Sequence, residues 1–132
     1  MNYWDTSAII SELAAGRLAT IKGVTRPHTL AEFYARTTGK GFAAGGKTIR
    51  LQAPLAAARV KQLVKQLAFV ELDADETAET LEIAGADGIA GGRTHDILHI
   101  AAANKSKAEA IFTYNEKDFE PFCDLPLKHP PG

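Results

Sequence analysis

Asn2-Tyr3-Trp4-Asp5-Thr6-Ser7-Ala8-Ile9-Ile10 changes character at Asp5. Asn2 to Trp4 is a short strand, carrying two aromatics of high strand preference. From Asp5 onward the pattern is helical. Asp5, Thr6 and Ser7 are each able to cap the free N–H groups of a helix start, and Ile9, Ile10, Leu13 and Ala14 form an apolar face. Gly16 is a natural stop. A strand therefore ends at an acid, and a helix begins there.

The alternation continues outward from this stretch. Residues 18–24 read as a strand ending in Val24 and broken by Pro27. Thr29 caps a second helix, with Leu30, Phe33 and Tyr34 as its apolar stripe and Glu32 in its first turn. Thr38 to Lys47 is rich in glycine and reads as a loop or a helix–helix connection. Pro54 starts an amphipathic helix through Leu55, Ala56, Val60, Leu63, Val64 and Leu67. Phe69-Val70-Glu71-Leu72 is a short strand, and Asp75 opens a helix that Gly85 stops. In Gly91-Gly92-Arg93-Thr94-His95-Asp96-Ile97-Leu98, Thr94 caps a buried helix continuing through Ile100 and Ala101 to Ala103. Ala110 to Tyr114 is a compact buried strand leading into Asn115-Glu116-Lys117-Asp118-Phe119. The tail from about residue 120, punctuated by Pro121, Pro126, Pro130 and Pro131, is irregular. Strands alternating with helices specify an α/β fold with a central, mainly parallel sheet flanked by helices. No repeat or second domain interrupts residues 1–132.

The totals agree with one folded domain: 132 residues, 45% hydrophobic and 23% charged, enough for a core without staples. The single cysteine, Cys123, has no partner for an internal disulfide, which suits a reducing compartment. No apolar run approaches a membrane span, and the opening residues lack the basic-then-apolar plan of a signal peptide. The expectation is a cytoplasmic protein without a membrane partner. A net charge of −1 excludes a global basic footprint for nucleic acid. The charges are segregated, however. From Arg17 to Lys65 the only carboxylate is Glu32, and from Glu71 to Asp87 there is no basic residue. Segregation permits a basic face on a neutral protein, although for charge runs alone solvated helix faces are the better account.

Open parallel sheets bind ligands beyond the carboxyl ends of their strands, where strand order reverses. Asp5 ends the first strand, and Asn115 and Asp118 follow the last. Glu32 and Asp96 sit at helix starts, which face the same edge in right-handed βαβ units. Carboxylates gathered there repel one another unless a hard cation holds them. Mg²⁺ and Mn²⁺ take oxygen ligands, activate water and stabilise charge developing on phosphate. Such a cluster points to phosphodiester hydrolysis. Taken singly, each acid is better read as a cap or turn residue, and the helix N-terminus alone accounts for Asp96.

Four blocks carry a resemblance to PIN-domain proteins, and most of all to VapC-type toxin ribonucleases of toxin–antitoxin pairs. Tyr3-Trp4-Asp5-Thr6-Ser7-Ala8 is similar to the family's opening strand and DTSA motif. Thr29-Leu30-Ala31-Glu32-Phe33-Tyr34 resembles the block that holds its glutamate. Gly91 to Leu98 resembles the third-acid block, and Phe112-Thr113-Tyr114-Asn115-Glu116-Lys117-Asp118-Phe119 the closing one. The resemblance spans nearly the whole chain. It implies that Asp5, Glu32, Asp96 and Asp118 are catalytic, with Asp5, Asp96 and Asp118 as metal ligands. Ser7 and Thr113 would support the acids, and Asn115 would serve as a neutral ligand or water holder. It further implies a Mg²⁺- or Mn²⁺-dependent endoribonuclease acting on RNA, a homodimer and a small antitoxin partner. Asn115 also keeps open a catalytically weak binding module of the same fold. The Asp5-to-Glu32 spacing is short for the family and suggests a trimmed helical region.

Two lookalikes compete. Gly41-Phe42-Ala43-Ala44-Gly45-Gly46-Lys47-Thr48 fits the phosphate-loop pattern of nucleotide hydrolases. That loop needs a buried strand before it and a helix directly after it, and a flexible inter-helix loop is the better account. His95 and His99 stand one helical turn apart, as in a zinc pair. No third ligand stands out, and packing or hydrogen bonding is the better account. His99 is expected at the core edge and His95 beside the acids. Cys123 has no evident base partner, and Trp4 is expected in the core.

Overall fold

Side chains of a strand point alternately to its two faces, so a strand buried on both faces is apolar throughout. Tyr3, Trp4, Ile111 and Phe112 meet that condition. In the computed structural model, which describes residues 1–130, the elements run β1 (Tyr3–Trp4), α1 (Thr6–Ala14), β2 (Gly23–Thr25), α2 (Pro27–Thr38), β3 (Phe42–Ala44), β4 (Lys47–Ile49), α3 (Ala53–Gln66), β5 (Leu67–Phe69), α4 (Ala74–Ala86), α5 (Arg93–Lys105), β6 (Ile111–Phe112), α6 (Glu116–Phe119) and β7 (Leu127–Lys128). Five strands form a sheet in the order β5-β2-β1-β6-β7, with every neighbouring pair parallel. The chain builds outward from β1 to β2 and β5, then returns to place β6 and β7 on the other side. Strand order reverses beside β1, so the crevice lies beyond Trp4, at Asp5.

Two apolar layers clamp the sheet. Trp4 and Phe112 pack with Ile9, Ile10, Phe33 and Leu63 on one face. Tyr3, Val24 and Ile111 pack with Ile100, Ala102, Ala103 and Phe119 on the other. Ile9, Phe33 and Leu63 are fully buried, and each such side chain contributes about 1.5–3 kcal/mol of transfer free energy. The Trp4 indole N–H donates to the Lys22 carbonyl at 2.8 Å, which lets the aromatic sit in the core as expected.

The α/β architecture matches the expectation, and several boundaries are corrected. Residues 18–24 are not one strand. Leu18 and Ile21 are both buried, three residues apart, and that spacing favours the 3₁₀ turn at Leu18–Thr20, leaving β2 to run to Thr25. Thr29 is not a cap. Pro27 starts α2, where its missing N–H costs nothing, and buried Thr29 accepts the Thr25 hydroxyl at 2.8 Å. Glu32 consequently lies in the second turn. The strand expected at Phe69–Leu72 is Leu67–Phe69, because Leu67 pairs with Gly23 and Phe69 with Thr25. Asp73, not Asp75, caps α4, through a reciprocal capping box with Glu76. Helix α5 begins at Arg93 after Gly92, so Thr94 is inside its first turn. The tail is not wholly irregular. β7 adds a parallel edge to β6, with Ile111 opposite Leu127, while Pro131 lies outside the described residues.

The glycine-rich stretch is neither a loop nor a helix–helix connection. β3 and β4 form an antiparallel hairpin with Phe42 opposite Ile49. Gly45 and Gly46 turn it with φ of 58° and 77°, the positive pair that a two-residue hairpin turn requires. This also removes the phosphate-loop lookalike, since Lys47 and Thr48 lie in β4 and no helix starts until Ala53. No helix among the described residues is long and apolar enough to cross a membrane.

Candidate functional site

Asp5 is the last residue before α1 and the cap of that helix, only 2% exposed. Its Oδ1 accepts the Ala8 backbone N–H at 2.9 Å and the Ser7 hydroxyl at 2.7 Å. Its Oδ2 accepts the Thr113 hydroxyl at 2.5 Å. Burial pushes the Asp5 carboxyl above its usual value, while the donors from Thr113, Ala8 and Ser7 pull it back. A carboxylate offers about four lone-pair positions, so Oδ2 keeps one open beside Thr113. Thr113 in turn accepts the Asn115 backbone N–H at 2.9 Å, and Ser7 accepts that of Tyr114 at 3.0 Å. The two hydroxyls thus tie the end of β6 to the start of α1.

Glu32 reaches the same edge from α2. Its Oε1 accepts the Thr6 hydroxyl at 3.1 Å and pairs with His99 Nε2 at 3.0 Å, while its Oε2 has no partner among the described residues. Burial raises the Glu32 carboxyl, but the bonds from His99 and Thr6 outweigh it, and the net direction is down. His99 completes a chain of contacts: its Nδ1 lies 2.7 Å from the Tyr3 hydroxyl. An ionised carboxylate only accepts, so Nε2 carries the proton toward Glu32, and in the neutral imidazole Nδ1 accepts from Tyr3. His99 is fully committed between two partners and 3% exposed. His95 is exposed and stacks on His28 at 5.6 Å between ring centroids. The two histidines therefore do not form a zinc pair.

Asp96, in the first turn of α5, completes the convergence. Its carboxyl is pushed up by burial and next by the charge of Asp118, with smaller upward contributions from Asp5 and Glu32 and an opposing one from His99. One aspartate thus feels all three other acids. Asp118 is exposed in α6, and Asn115, also exposed, shares a surface hollow with Glu32, Thr6 and Ser7. Asp5, Glu32, Asp96 and Asp118 therefore sit on one edge, with Ser7, Thr113 and Asn115 among them. Among the described residues no three His, Cys, Asp or Glu side chains surround a single point closely enough to cage a metal ion. By donor chemistry the residues fit a hard divalent cation: the donors are oxygens, with open positions at Asp5 Oδ2 and Glu32 Oε2. The thiol of Cys123 is pushed up by burial and lies off this edge, in line with an inert role.

Sequence reasoning missed the role of His99. The signal was present, since a histidine three residues after Asp96 returns to nearly the same helix face. Its partners Tyr3 and Glu32 come from distant parts of the chain and leave no local mark.

Comparison with known proteins agrees with this fold. The fold is similar to that of VapBC-1 from nontypeable Haemophilus influenzae (TM-score 0.65, 17% identity, 98% of each chain covered). It is similar too to VapBC2 from Rickettsia felis bound to a DNA fragment from their promoter (TM-score 0.62, 17% identity, 98% of each chain covered). A search of curated proteins gives no match. The family model described as PIN domain matches residues 3–124, which covers β1 through α6 and all four acids, and the chain belongs to the PIN domain family.

Proposed function

We propose that this chain is a divalent-metal-dependent endoribonuclease and the toxin of a VapBC-type pair. The observation that carries the reading is the convergence of Asp5, Glu32, Asp96 and Asp118 at the point where strand order reverses. The fold's similarity to two VapBC structures supports the toxin assignment. Asp5, Asp96 and Asp118 would hold Mg²⁺ or Mn²⁺. Bound there, such an ion supplies positive charge against the phosphate and a water of lowered pKa.

The remaining work falls to the chain itself. Ser7, Thr113 and the Ala8 N–H hold the Asp5 carboxylate at a set angle, so its free lone pair points one way. Glu32, with Oε1 held by Thr6 and His99, keeps Oε2 free to orient the attacking water and take its proton. Asn115 places an amide at the rim, able to hold water or a phosphate oxygen. The same reading includes a homodimer and a small antitoxin whose tail covers the acids with a basic side chain.

Purified protein should cut a mixed pool of transfer and ribosomal RNA into discrete fragments with Mg²⁺ or Mn²⁺. Chelator and Asp96→Asn should each abolish the fragments. Fragments that persist in Asp96→Asn overturn the proposal. Asn115, a neutral amide among the four acids, favours a second reading, a catalytically weak module of the same fold. That reading predicts RNA or protein binding without cleavage and without Asp96-dependent metal binding.

A further inference from the structure

Two surface hollows adjoin the acids and share three residues. One, of about 520 Å³, is lined by Thr6, Ser7, Glu32, Arg36, Lys40 and Asn115, among others. The other, of about 370 Å³, is lined by Ser7, Ser11, Arg36, Phe42, Tyr114 and Asn115, among others. Because Ser7, Arg36 and Asn115 belong to both, they form one groove running from Glu32, past Arg36, to Tyr114.

Arg36 is built for this place. Its carbonyl accepts the Gly41 N–H at 2.8 Å, and its Nε donates back to the Gly41 carbonyl at 3.2 Å. The guanidinium is thereby held near its base, while both terminal nitrogens have no partner among the described residues. Neither Arg36 nor Lys40 forms an ion pair with a described residue. A pre-oriented arginine fork with free ends suits a phosphate oxygen pair. At the other end, Tyr114 is 42% exposed, its ring backed by the His129 imidazole at 4.4 Å between centroids. Its backbone N–H is anchored on Ser7 Oγ, the hydroxyl that also holds Asp5. An exposed aromatic fixed beside a basic groove is the combination that binds single-stranded nucleic acid, since every base has a face to stack. Paired bases keep their faces inside the duplex and cannot use such a platform.

We infer that this groove binds a single RNA strand beside the cleaved bond, with phosphates on Arg36 and Lys40 and a base stacked on Tyr114. The inference rests on the nuclease reading for the strand's role as substrate, and binding is measured separately from cleavage. The probe is a fluorescently labelled single-stranded oligoribonucleotide of mixed sequence, titrated with the full chain in chelator and followed by anisotropy. The double variant R36Q/K40Q should bind at least tenfold more weakly, and its salt slope should shrink by about 1.4, the value for two lost phosphate contacts on a single strand. Tyr114→Ala should lose at least fivefold, roughly the lower end for one stacked base, and Tyr114→Phe should restore binding. The same strand annealed to its complement should bind more weakly.

Variants that bind like wild type, or a duplex that binds as tightly as the strand, would overturn the inference even if the protein cleaves RNA. Wild-type protein with no affinity for the strand also overturns it and hands the groove to a protein partner. Binding as expected without any cleavage upholds the groove and sinks the nuclease reading alone.

Discussion

Thr113→Val removes one hydroxyl and leaves the shape of the side chain nearly unchanged. In the folded chain that hydroxyl is fully buried, donates to Asp5 Oδ2 and accepts the Asn115 N–H. A hydrogen bond to a charged group contributes about 1.5–3 kcal/mol. The second bond adds little, because Asn115 is exposed and water replaces the acceptor. The expected loss is about 2–3 kcal/mol, which for a domain of this size lowers the melting temperature by roughly 6–15 °C. The loss should depend on pH. Burial already raises the Asp5 carboxyl in the folded state, and Thr113 is the strongest of the donors opposing that rise. A carboxyl raised on folding favours the folded state at low pH and loses that contribution as pH climbs through its folded value. Without Thr113 the folded value rises further, so the variant's deficit grows as pH rises and shrinks as Asp5 protonates in acid. Urea unfolding from pH 4 to 8 in chelator measures this, with Thr113→Ser as the control that keeps the hydroxyl. A deficit equal at all pH values, or absent at pH 7, would refute the assignment of Thr113 as the prop of an ionised Asp5.

Three further outcomes are expected. Asp96→Asn should abolish cleavage and, in chelator at neutral pH, stabilise the fold by about 0.5–1 kcal/mol, modest because solvent screens a half-buried site. The gain should fade as pH drops through the raised Asp96 value, and a destabilised variant by thermal melting would contradict the crowding of acids. His99→Ala leaves the buried Tyr3 hydroxyl without its partner and frees Glu32, and chemical denaturation should show a loss of about 2–4 kcal/mol at pH 7. Because the Glu32 carboxyl is lowered in the folded state, its contribution is present at neutral pH and disappears as pH falls through the folded value, taking part of the variant's deficit with it. Gly41→Ala should cost about 2 kcal/mol or more, since φ there is +80° and a Cβ would stand 2.3 Å from the Ile49 carbonyl oxygen. It should also weaken strand binding by loosening Arg36, and anisotropy unchanged from wild type would separate the hairpin joint from the groove.

The opening strand, its acidic cap and the helix after it were legible because all three are local chemistry. A cap needs only the next few N–H groups, and Asp5 bonds Ala8, three residues on. Helix α3 announced itself through Pro54 and its apolar spacing, and β6 through an unbroken apolar run. The hairpin at Phe42–Ile49 stayed hidden because Ala43-Ala44 has little strand character, so the Gly45-Gly46 turn signal stood without a recognisable strand before it. β7 stayed hidden among prolines because two residues on a sheet edge draw their stability from the partner strand.

By itself, then, the sequence determined an alternating α/β chain, one folded domain, and the order of four acids placed after strands and near helix starts. Short-range periodicity and capping are enough for that. Only the tertiary structure decided that Thr113 props Asp5 across 108 residues and that His99 joins Glu32 to Tyr3 across 67 and 96. Those contacts depend on strand order in the sheet, and a residue's own neighbours in the chain carry no record of which distant strand it will meet.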